Sequence, residues 1–98
     1  MSFQIVNTVQ VQDMINGEDV TIIDMRDPDS FAQGHINSAQ AMASIDLDHF
    51  AKSHPKDQAL VLYCYHGISS QSAANWFSQK GFTRVFSMEG GFEAWPQN

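Results

Sequence analysis

The stretch LVLYCYHGISSQSAANW, residues 60–76, places a lone thiol between a predicted strand and a predicted helix. Residues 59–63 are all apolar or aromatic, which is typical of a strand that is covered on both faces of a sheet. Cys64 is the only cysteine in the chain, and it follows this strand directly. A glycine and two serines then lead into a helix-like run. A buried strand, a short loop and a helix in this order indicate an α/β fold.

The same alternation continues on both sides of this stretch. Other strands are predicted at residues 3–6, 20–24, 39–42 and 83–87. Helices are predicted to begin at polar N-caps, namely Thr8, Asp27 before Pro28, and Ser69 or Ser70, with two more segments at residues 46–52 and 92–95. Short strands that alternate with short helices predict a central, mostly parallel sheet of about five strands with helices on both faces.

Length and charge narrow the possible functions. Ninety-eight residues fit a single domain, so we expect residues 1–98 to form one. A net charge of −6 argues against nucleic acid and against an anionic membrane as partners, because both require a basic surface. One cysteine cannot form an internal disulfide, the first ten residues do not resemble a signal peptide, and no apolar run is long enough to span a membrane. We therefore expect a cytoplasmic protein.

The position of Cys64 favours a reactive thiolate. Ligands of open α/β sheets bind beyond the carboxyl ends of the strands, which is where Cys64 lies. The loop after it leads into a helix N-terminus, so its N–H groups can converge on one anion, and Gly67 lets the backbone curl. These donors, helped by a protonated His66, should lower the pKa of Cys64. A thiolate held in this way is a candidate nucleophile.

A structural interpretation of the same cysteine also exists. Lone cysteines are more often small buried apolar side chains than catalytic groups. Cys64 alone therefore does not establish catalysis, and only its place between strand, glycine loop and helix favours it.

Four short motifs occur in order along nearly the whole chain. They are Asp24-Met25-Arg26-Asp27, similar to a D-x-R motif; Phe31 to Ile36 with Ala39, similar to G-H-I-x-x-A; Cys64 to Ser69, CYHGIS, similar to a six-residue active-site loop; and Gly90 to Trp95, GGFEAW, similar to a terminal G-G-x-x-x-W. Together they resemble the rhodanese family, and the resemblance implies a rhodanese-like fold.

The resemblance also implies an activity. Cys64 would take the outer sulfur of thiosulfate as a persulfide and pass it to cyanide or to a cellular thiol, thioredoxin among them. The amides of the loop would hold the transferred sulfur, the hydroxyls of two serines would add hydrogen bonds, and no metal or organic cofactor is required. The substrate-binding residues implied are Tyr65, His66, Gly67, Ile68, Ser69 and Ser70.

One departure from the family and two alternative functions bear on this prediction. The loop has no arginine or lysine, and His66 is its only candidate cation, so we expect weak binding of the thiosulfate dianion. Phosphatases and arsenate reductases need an arginine where this chain has Ser70, which argues against them. A non-enzymatic carrier or sensing module, whose persulfide goes to one protein partner, stays open, because the same loop would serve both.

The remaining polar and aromatic side chains are interpreted as structural. Arg26 could line the site, but we favour a structural pair with a nearby aspartate. His35 could be a ligand or a base, but we favour a hydrogen-bonded turn residue. His49 and His54 are predicted to lie on the surface, because their spacing does not fit a zinc site. Tyr65 and Ile68 are predicted at the rim of the pocket. The core or helix-packing aromatics are Trp76, Phe77, Phe92 and Trp95.

Overall fold

In the computed structural model, residues 3–96 are described, and their strands form one parallel sheet. The strands are β1 (Gln4–Val6), β2 (Val20–Asp24), β3 (Gln40–Ala41), β4 (Ala59–Tyr63) and β5 (Val85–Met88). The helices are α1 (Thr8–Gly17), α2 (Pro28–Gln33), α3 (Leu47–Ser53), α4 (Ser69–Gln79) and α5 (Gly91–Ala94), and a 3₁₀ turn covers Met42–Ser44.

The strand order is β1-β5-β4-β2-β3, and every pairing is parallel. The predicted fold class is confirmed, and the sheet is parallel throughout rather than mostly parallel. β4 occupies the centre, with Tyr63 opposite Asp24 of β2 and Leu62 opposite Ser87 of β5. All five residues of β4 are buried, as the apolar run predicts. The carboxyl end of β4 therefore opens in the middle of the sheet edge where ligands of α/β proteins bind.

Helices cover both faces of the sheet. Alternate residues of β4 point to opposite sides, so Val61 and Tyr63 join one apolar cluster while Leu60 and Leu62 join the other. The first cluster packs against α1 and α5, and the second against α3 and α4 through Phe77 and its neighbours. This two-sided cover explains why β2 and β4 are continuous apolar runs rather than alternating ones.

Of the three predicted polar caps, the one at Asp27 is confirmed, and those at Thr8 and at Ser69 or Ser70 are wrong. Asp27 caps α2 ahead of Pro28, and Asp46 caps α3. The prediction for α1 is wrong by one residue, because the N-cap is Asn7 rather than Thr8. The Asn7 side chain accepts from the Gln10 N–H at 2.8 Å, and the Gln10 side chain accepts from the Asn7 N–H at 2.8 Å. This reciprocal capping box satisfies two donors where a threonine one residue later would satisfy one.

Some boundaries and one histidine differ from expectation. The strand predicted at 39–42 is only two residues long, because the chain turns at Met42, and the strand predicted at 83–87 begins at Val85. His54 is half-buried rather than on the surface, with its ring 4.3 Å from the ring of Phe50 and Nε2 3.1 Å from the Thr21 hydroxyl. Across residues 3–96, the helices are too short or too polar to cross a membrane.

Candidate active site

Cys64 directly follows β4 at the centre of the sheet edge, and only 4% of the residue is exposed. Gly67 donates its N–H to Cys64 Sγ at 3.2 Å, and Ser70 donates its N–H at 3.3 Å. The loop therefore curls back so that backbone donors converge on the sulfur, as its glycine and the following helix predict.

These contacts determine the acidity of the thiol. Burial by itself raises the pKa of Cys64, but hydrogen bonds from the Ser70 hydroxyl, the Ser70 N–H, the Gly67 N–H and the His66 N–H outweigh it. Together they lower the pKa from the ordinary 9.0 to about 7. A large fraction of the sulfur is therefore thiolate at neutral pH, as a nucleophile requires.

Ser70 has a different role from the one predicted for it as a helix cap. The N-cap of α4 is Ile68, with no side-chain cap hydrogen bond, and Ser70 lies inside the helix with none of its surface exposed. Its hydroxyl oxygen is 3.4 Å from Cys64 Sγ and 2.8 Å from the hydroxyl oxygen of Ser87. Ser70 faces the sulfur because the helix begins at Ser69, one position before it.

The active-site loop rests on the turn between β5 and α5. Gly67 has a φ of +89°, and a Cβ there would lie 2.6 Å from the Gly90 nitrogen. Phe92 donates its N–H to the Cys64 carbonyl at 2.8 Å, and a Cβ on Gly91 would lie 2.5 Å from that carbonyl oxygen. The glycines at 67 and 91 thus permit an approach of two backbones that side chains would block.

The other predicted loop residues lie around the mouth of this site. Tyr65 is 43% exposed, with its hydroxyl 2.9 Å from that of Ser30, and Ile68 is 75% exposed. His66 places Nδ1 2.8 Å from a carboxylate oxygen of Glu93, and both side chains are largely exposed. Ser69 is exposed at the first position of α4. The structure therefore brings the loop together around Cys64, with Tyr65 and Ile68 at the rim.

Arg26 is committed to a buried ion pair behind the loop. Its guanidinium donates to both carboxylate oxygens of Asp24, the closest contact being 2.8 Å, and to the Gly34 carbonyl at 2.6 Å. The predicted pairing of Arg26 with an aspartate is confirmed, and the partner is Asp24. The Arg26 guanidinium carbon also lies 4.1 Å from the centre of the Phe92 ring and 5.9 Å from that of Tyr65. Arg26 therefore supports the residues on either side of the site.

The structure also shows what lies away from the loop. Within residues 3–96, no three histidine, cysteine or acidic side chains are grouped so that they could hold a metal ion. His35 is exposed, stacks on Phe31 with ring centres 3.8 Å apart, and bonds the Phe31 carbonyl, as expected of a turn residue. A cleft of about 460 Å³ lies between α1, the segment around His35 and α5, and Cys64 does not line it.

A family model for the rhodanese-like domain matches residues 7–98. The chain belongs to the rhodanese family. Two similar relatives are proteins named thiosulfate sulfurtransferase GlpE. The one from Pseudoalteromonas translucida is 41% identical over 97% of this chain and 90% of its own length. The one from Shewanella oneidensis is 43% identical over 98% of this chain and 95% of its own length.

Solved structures show the same fold as this rhodanese. A rhodanese-like domain protein from Staphylococcus aureus superposes with a TM-score of 0.82 at 21% identity, covering 98% of this chain and 94% of that one. The rhodanese-like domain of an Anabaena protein superposes with a TM-score of 0.80 at 26% identity, covering 97% of this chain and 74% of that one. The sheet order and the helices on both faces are thus those of rhodanese-like domains.

Two residues of the rhodanese site were missed in the sequence. Ser87 lies in β5, and in the sequence nothing distinguishes it from the other residues of the predicted strand. Only the pairing of β5 with β4 and the contact with Ser70 show that it faces the site. Gly91 belongs to the GGFEAW motif, but the sequence did not predict that it admits the backbone of Cys64 and Tyr65. The paired glycines at 90 and 91 are the sequence signal that points to such a close approach.

Proposed function

We propose that this rhodanese is a thiosulfate sulfurtransferase that carries sulfur as a persulfide on Cys64. The observation that supports the proposal most directly is the buried sulfur surrounded by donors, with its pKa lowered to about 7. Relatives that share about two-fifths of its sequence are named thiosulfate sulfurtransferase. A buried thiolate needs a reduced cysteine, which fits the reducing cytoplasm.

The reaction has two displacements. The Cys64 thiolate attacks the outer sulfur of thiosulfate, a bond forms between the two sulfurs, and sulfite leaves with the electron pair of the broken S–S bond. An acceptor nucleophile then attacks the outer sulfur of the persulfide, and Cys64 leaves as thiolate. Cyanide becomes thiocyanate, and a thiol such as that of thioredoxin becomes a persulfide. Each step conserves electrons without an external oxidant, and alternation of the two steps predicts ping-pong kinetics.

The loop is proposed to bind the substrate at the mouth of the site. Gly67 and Ser70 donate to the inner sulfur, and the backbone from Tyr65 to Ser69 encircles the space where the outer sulfur would stand. Backbone donors aimed at a developing charge stabilise it without reorganisation. His66 is the one candidate cation in the loop, and its ring lies 2.8 Å from a carboxylate oxygen of Glu93. We therefore expect the thiosulfate dianion to bind weakly.

A persulfide carrier that serves one protein partner is a second candidate. The observation in its favour is the rim, where Ile68 is 75% exposed and Tyr65 is 43% exposed beside a recessed sulfur. Exposed apolar groups around a site are a common feature of protein docking surfaces. Turnover with cyanide or small thiols favours the enzyme, whereas sulfur transfer only to a particular protein favours the carrier.

The test of the proposed function is the intact mass of the reduced protein before and after incubation with thiosulfate. We expect a gain equal to one sulfur atom, which cyanide then removes. Cys64→Ser is the matched control, because it keeps a small polar group at this position but cannot form a persulfide. A folded wild-type protein with a free thiol and no gain in mass would rule out thiosulfate as donor, and other persulfide donors would then be tried on the same pair of proteins.

A further inference from the structure

Three buried groups form a hydrogen-bonded row that begins at the reactive sulfur. Cys64 Sγ lies 3.4 Å from Ser70 Oγ, which lies 2.8 Å from Ser87 Oγ. Ser70 is 0% exposed and Ser87 is 1% exposed, so both hydroxyls are shielded from water. Ser87 belongs to β5, the strand beside β4, and it is paired with Leu62, two residues before the cysteine. The row therefore connects the active-site sulfur to a neighbouring strand.

Which group donates in each hydrogen bond of this row matters, because a hydroxyl has a single proton to donate. Ser70 has one hydroxyl proton, which it can donate either to the sulfur or to Ser87, but not to both. When Ser87 donates to Ser70, the Ser70 proton is available for the sulfur. A thiolate only accepts, so it matches this direction, and hydrogen bonds that run in one direction strengthen each other. When Cys64 is protonated, its thiol donates to Ser70 Oγ and Ser70 then donates to Ser87, so the sulfur has no hydroxyl donor.

We propose that Ser87 is a positioning residue, which holds the Ser70 hydroxyl in the orientation that donates to the Cys64 sulfur and so favours the thiolate. The inference rests on the proposed function only in taking Cys64 as the nucleophile. Ser87 acts through Ser70, whose backbone N–H continues to donate to the sulfur at 3.3 Å whichever way the hydroxyl turns.

Ionisable side chains of the surrounding elements do not account for the same effect. Neither α4 nor β5, the two elements that carry the serines, contains an acidic or basic residue. His66 of the loop is paired with Glu93 of α5, with side chains that are 64% and 73% exposed. The other ionisable groups near the carboxyl ends of these strands are Asp24, Arg26, Tyr63, Tyr65 and Glu89. Because none of these changes in a Ser87 variant, the serine row can be tested separately.

The experiment is the rate of Cys64 alkylation by iodoacetamide as a function of pH. In Ser87→Ala, we expect the midpoint of the curve of rate against pH to rise by about 0.5 to 1 pH unit. The Ser70 hydroxyl loses the group that orients it toward the sulfur, while the backbone N–H donors remain. Alkylation at about pH 6 should slow by roughly 3- to 10-fold, and at about pH 9.5 it should match the wild-type rate, because the thiol is ionised in both proteins. Ser87→Thr keeps the hydroxyl and should restore the wild-type midpoint.

Two further variants test whether Ser87 acts through Ser70. Ser70→Ala should raise the midpoint at least as much as Ser87→Ala, and the double variant should match Ser70→Ala alone, because the row is already cut. Thr21→Val is the matched control. It removes another buried hydroxyl from a strand, one bonded to His54, and should leave the midpoint unchanged. Circular dichroism and thermal unfolding confirm that each variant is folded.

The proposal is overturned if Ser87→Ala has the wild-type midpoint, or if Ser87→Thr does not restore that midpoint. It is also overturned if Thr21→Val raises the midpoint as much as Ser87→Ala does, or if the double variant raises it more than Ser70→Ala alone. Alkylation reports the ionisation of Cys64 without any sulfur transfer. A protein that alkylates as expected but gains no sulfur from thiosulfate would therefore refute the proposed donor and leave the serine row standing. If Ser87→Ala titrates like the wild type and the wild type gains sulfur from thiosulfate, the role of Ser87 is refuted and the proposed function stands.

Discussion

At the scale of single residues, Cys64 couples reactivity to stability. Its hydrogen bonds stabilise the thiolate only in the folded protein, and its folded pKa of about 7 lies below the ordinary value of 9.0. A group whose pKa is lowered by folding adds stability above its unfolded pKa and loses it as the pH falls through its folded pKa. The contribution of Cys64 is therefore absent below about pH 7, grows between about pH 7 and 9, and is complete above that range.

This coupling predicts how Cys64→Ala compares with the wild type in chemical unfolding under reducing conditions. Between about pH 6 and pH 9.5, the wild type should gain on the order of 1 to 2 kcal/mol of unfolding free energy relative to the variant. This free energy is smaller than the one that corresponds to the full difference between the two pKa values, because water at the mouth of the site screens the charge. A difference between the two proteins that stays constant with pH would show that the thiolate has no preferential stabilisation in the fold.

The sequence predicted the lowered pKa of Cys64 but not all the groups that lower it. A glycine and a helix start after a strand were enough to predict converging N–H groups. The contribution of the Ser70 hydroxyl depends on whether α4 begins at Ser69 or one residue later, and helix starts are uncertain by about one or two residues in a sequence. Ser87 is 17 residues from Ser70, and only strand pairing brings the two together.

At the scale of elements, a buried tyrosine joins β2, β4 and the segment after α2. Tyr63 donates its hydroxyl to Asp24 at 2.6 Å and accepts from the Ile36 N–H at 3.2 Å. Asp24 in turn holds Arg26, which bonds the Gly34 carbonyl. Burial, followed by the hydrogen bond to Asp24, raises the pKa of the Tyr63 hydroxyl, which therefore stays a donor at physiological pH.

Tyr63→Phe should lower the unfolding free energy by about 1 to 3 kcal/mol, because it leaves a buried carboxylate oxygen and a buried N–H short of a partner. Tyr65→Phe is the matched control, since its hydroxyl bonds Ser30 on an exposed surface and its loss should cost less than about 0.5 kcal/mol. Denaturant unfolding measures both. Equal losses would indicate that the hydroxyl of Tyr63 contributes no more than an exposed one.

The sequence predicted the existence of the elements better than their contacts. Apolar runs identified β2 and β4 because both are buried on two faces. β3 is only two residues long. Its ends are determined by its pairing with β2 and not by its own residue types, so the sequence did not predict them. The half-buried position of His54 depends on Phe50 and Thr21, which come from different elements, and no local pattern reports such a contact.

At the scale of the whole molecule, the net charge of −6 opposes an anionic donor. The active-site loop has no lysine or arginine to offset this field, and the carboxylate of Glu93 lies 2.8 Å from the ring of His66. Long-range repulsion weakens with salt, because the screening length falls to about 10 Å at 0.1 M ionic strength. Reaction of Cys64 with anions should therefore speed up as salt is added.

Two alkylating agents of different charge test this expectation. Raising the ionic strength from about 0.01 to 0.15 M should increase the rate with anionic iodoacetate roughly 2- to 4-fold relative to neutral iodoacetamide. The ratio cancels any effect of salt on the ionisation of the thiol, so iodoacetamide is the internal control. If the rate with iodoacetate relative to iodoacetamide fell as salt was added, anions would be attracted to the mouth of the site. Thiosulfate would then bind more strongly than we propose.

The strand order has a consequence for protein synthesis. β1 pairs only with β5, and β5 also flanks β4, so the first strand to leave the ribosome cannot enter the sheet until the last one has been made. The N–H groups of Phe92 and Glu93 that bond the carbonyls of Cys64 and Tyr65 emerge later still. The donors to the sulfur, the N–H groups of Gly67 and Ser70, are made soon after Cys64, but the contacts that hold its loop in place are not. The arrangement of the active site is therefore complete only after translation has passed Glu93.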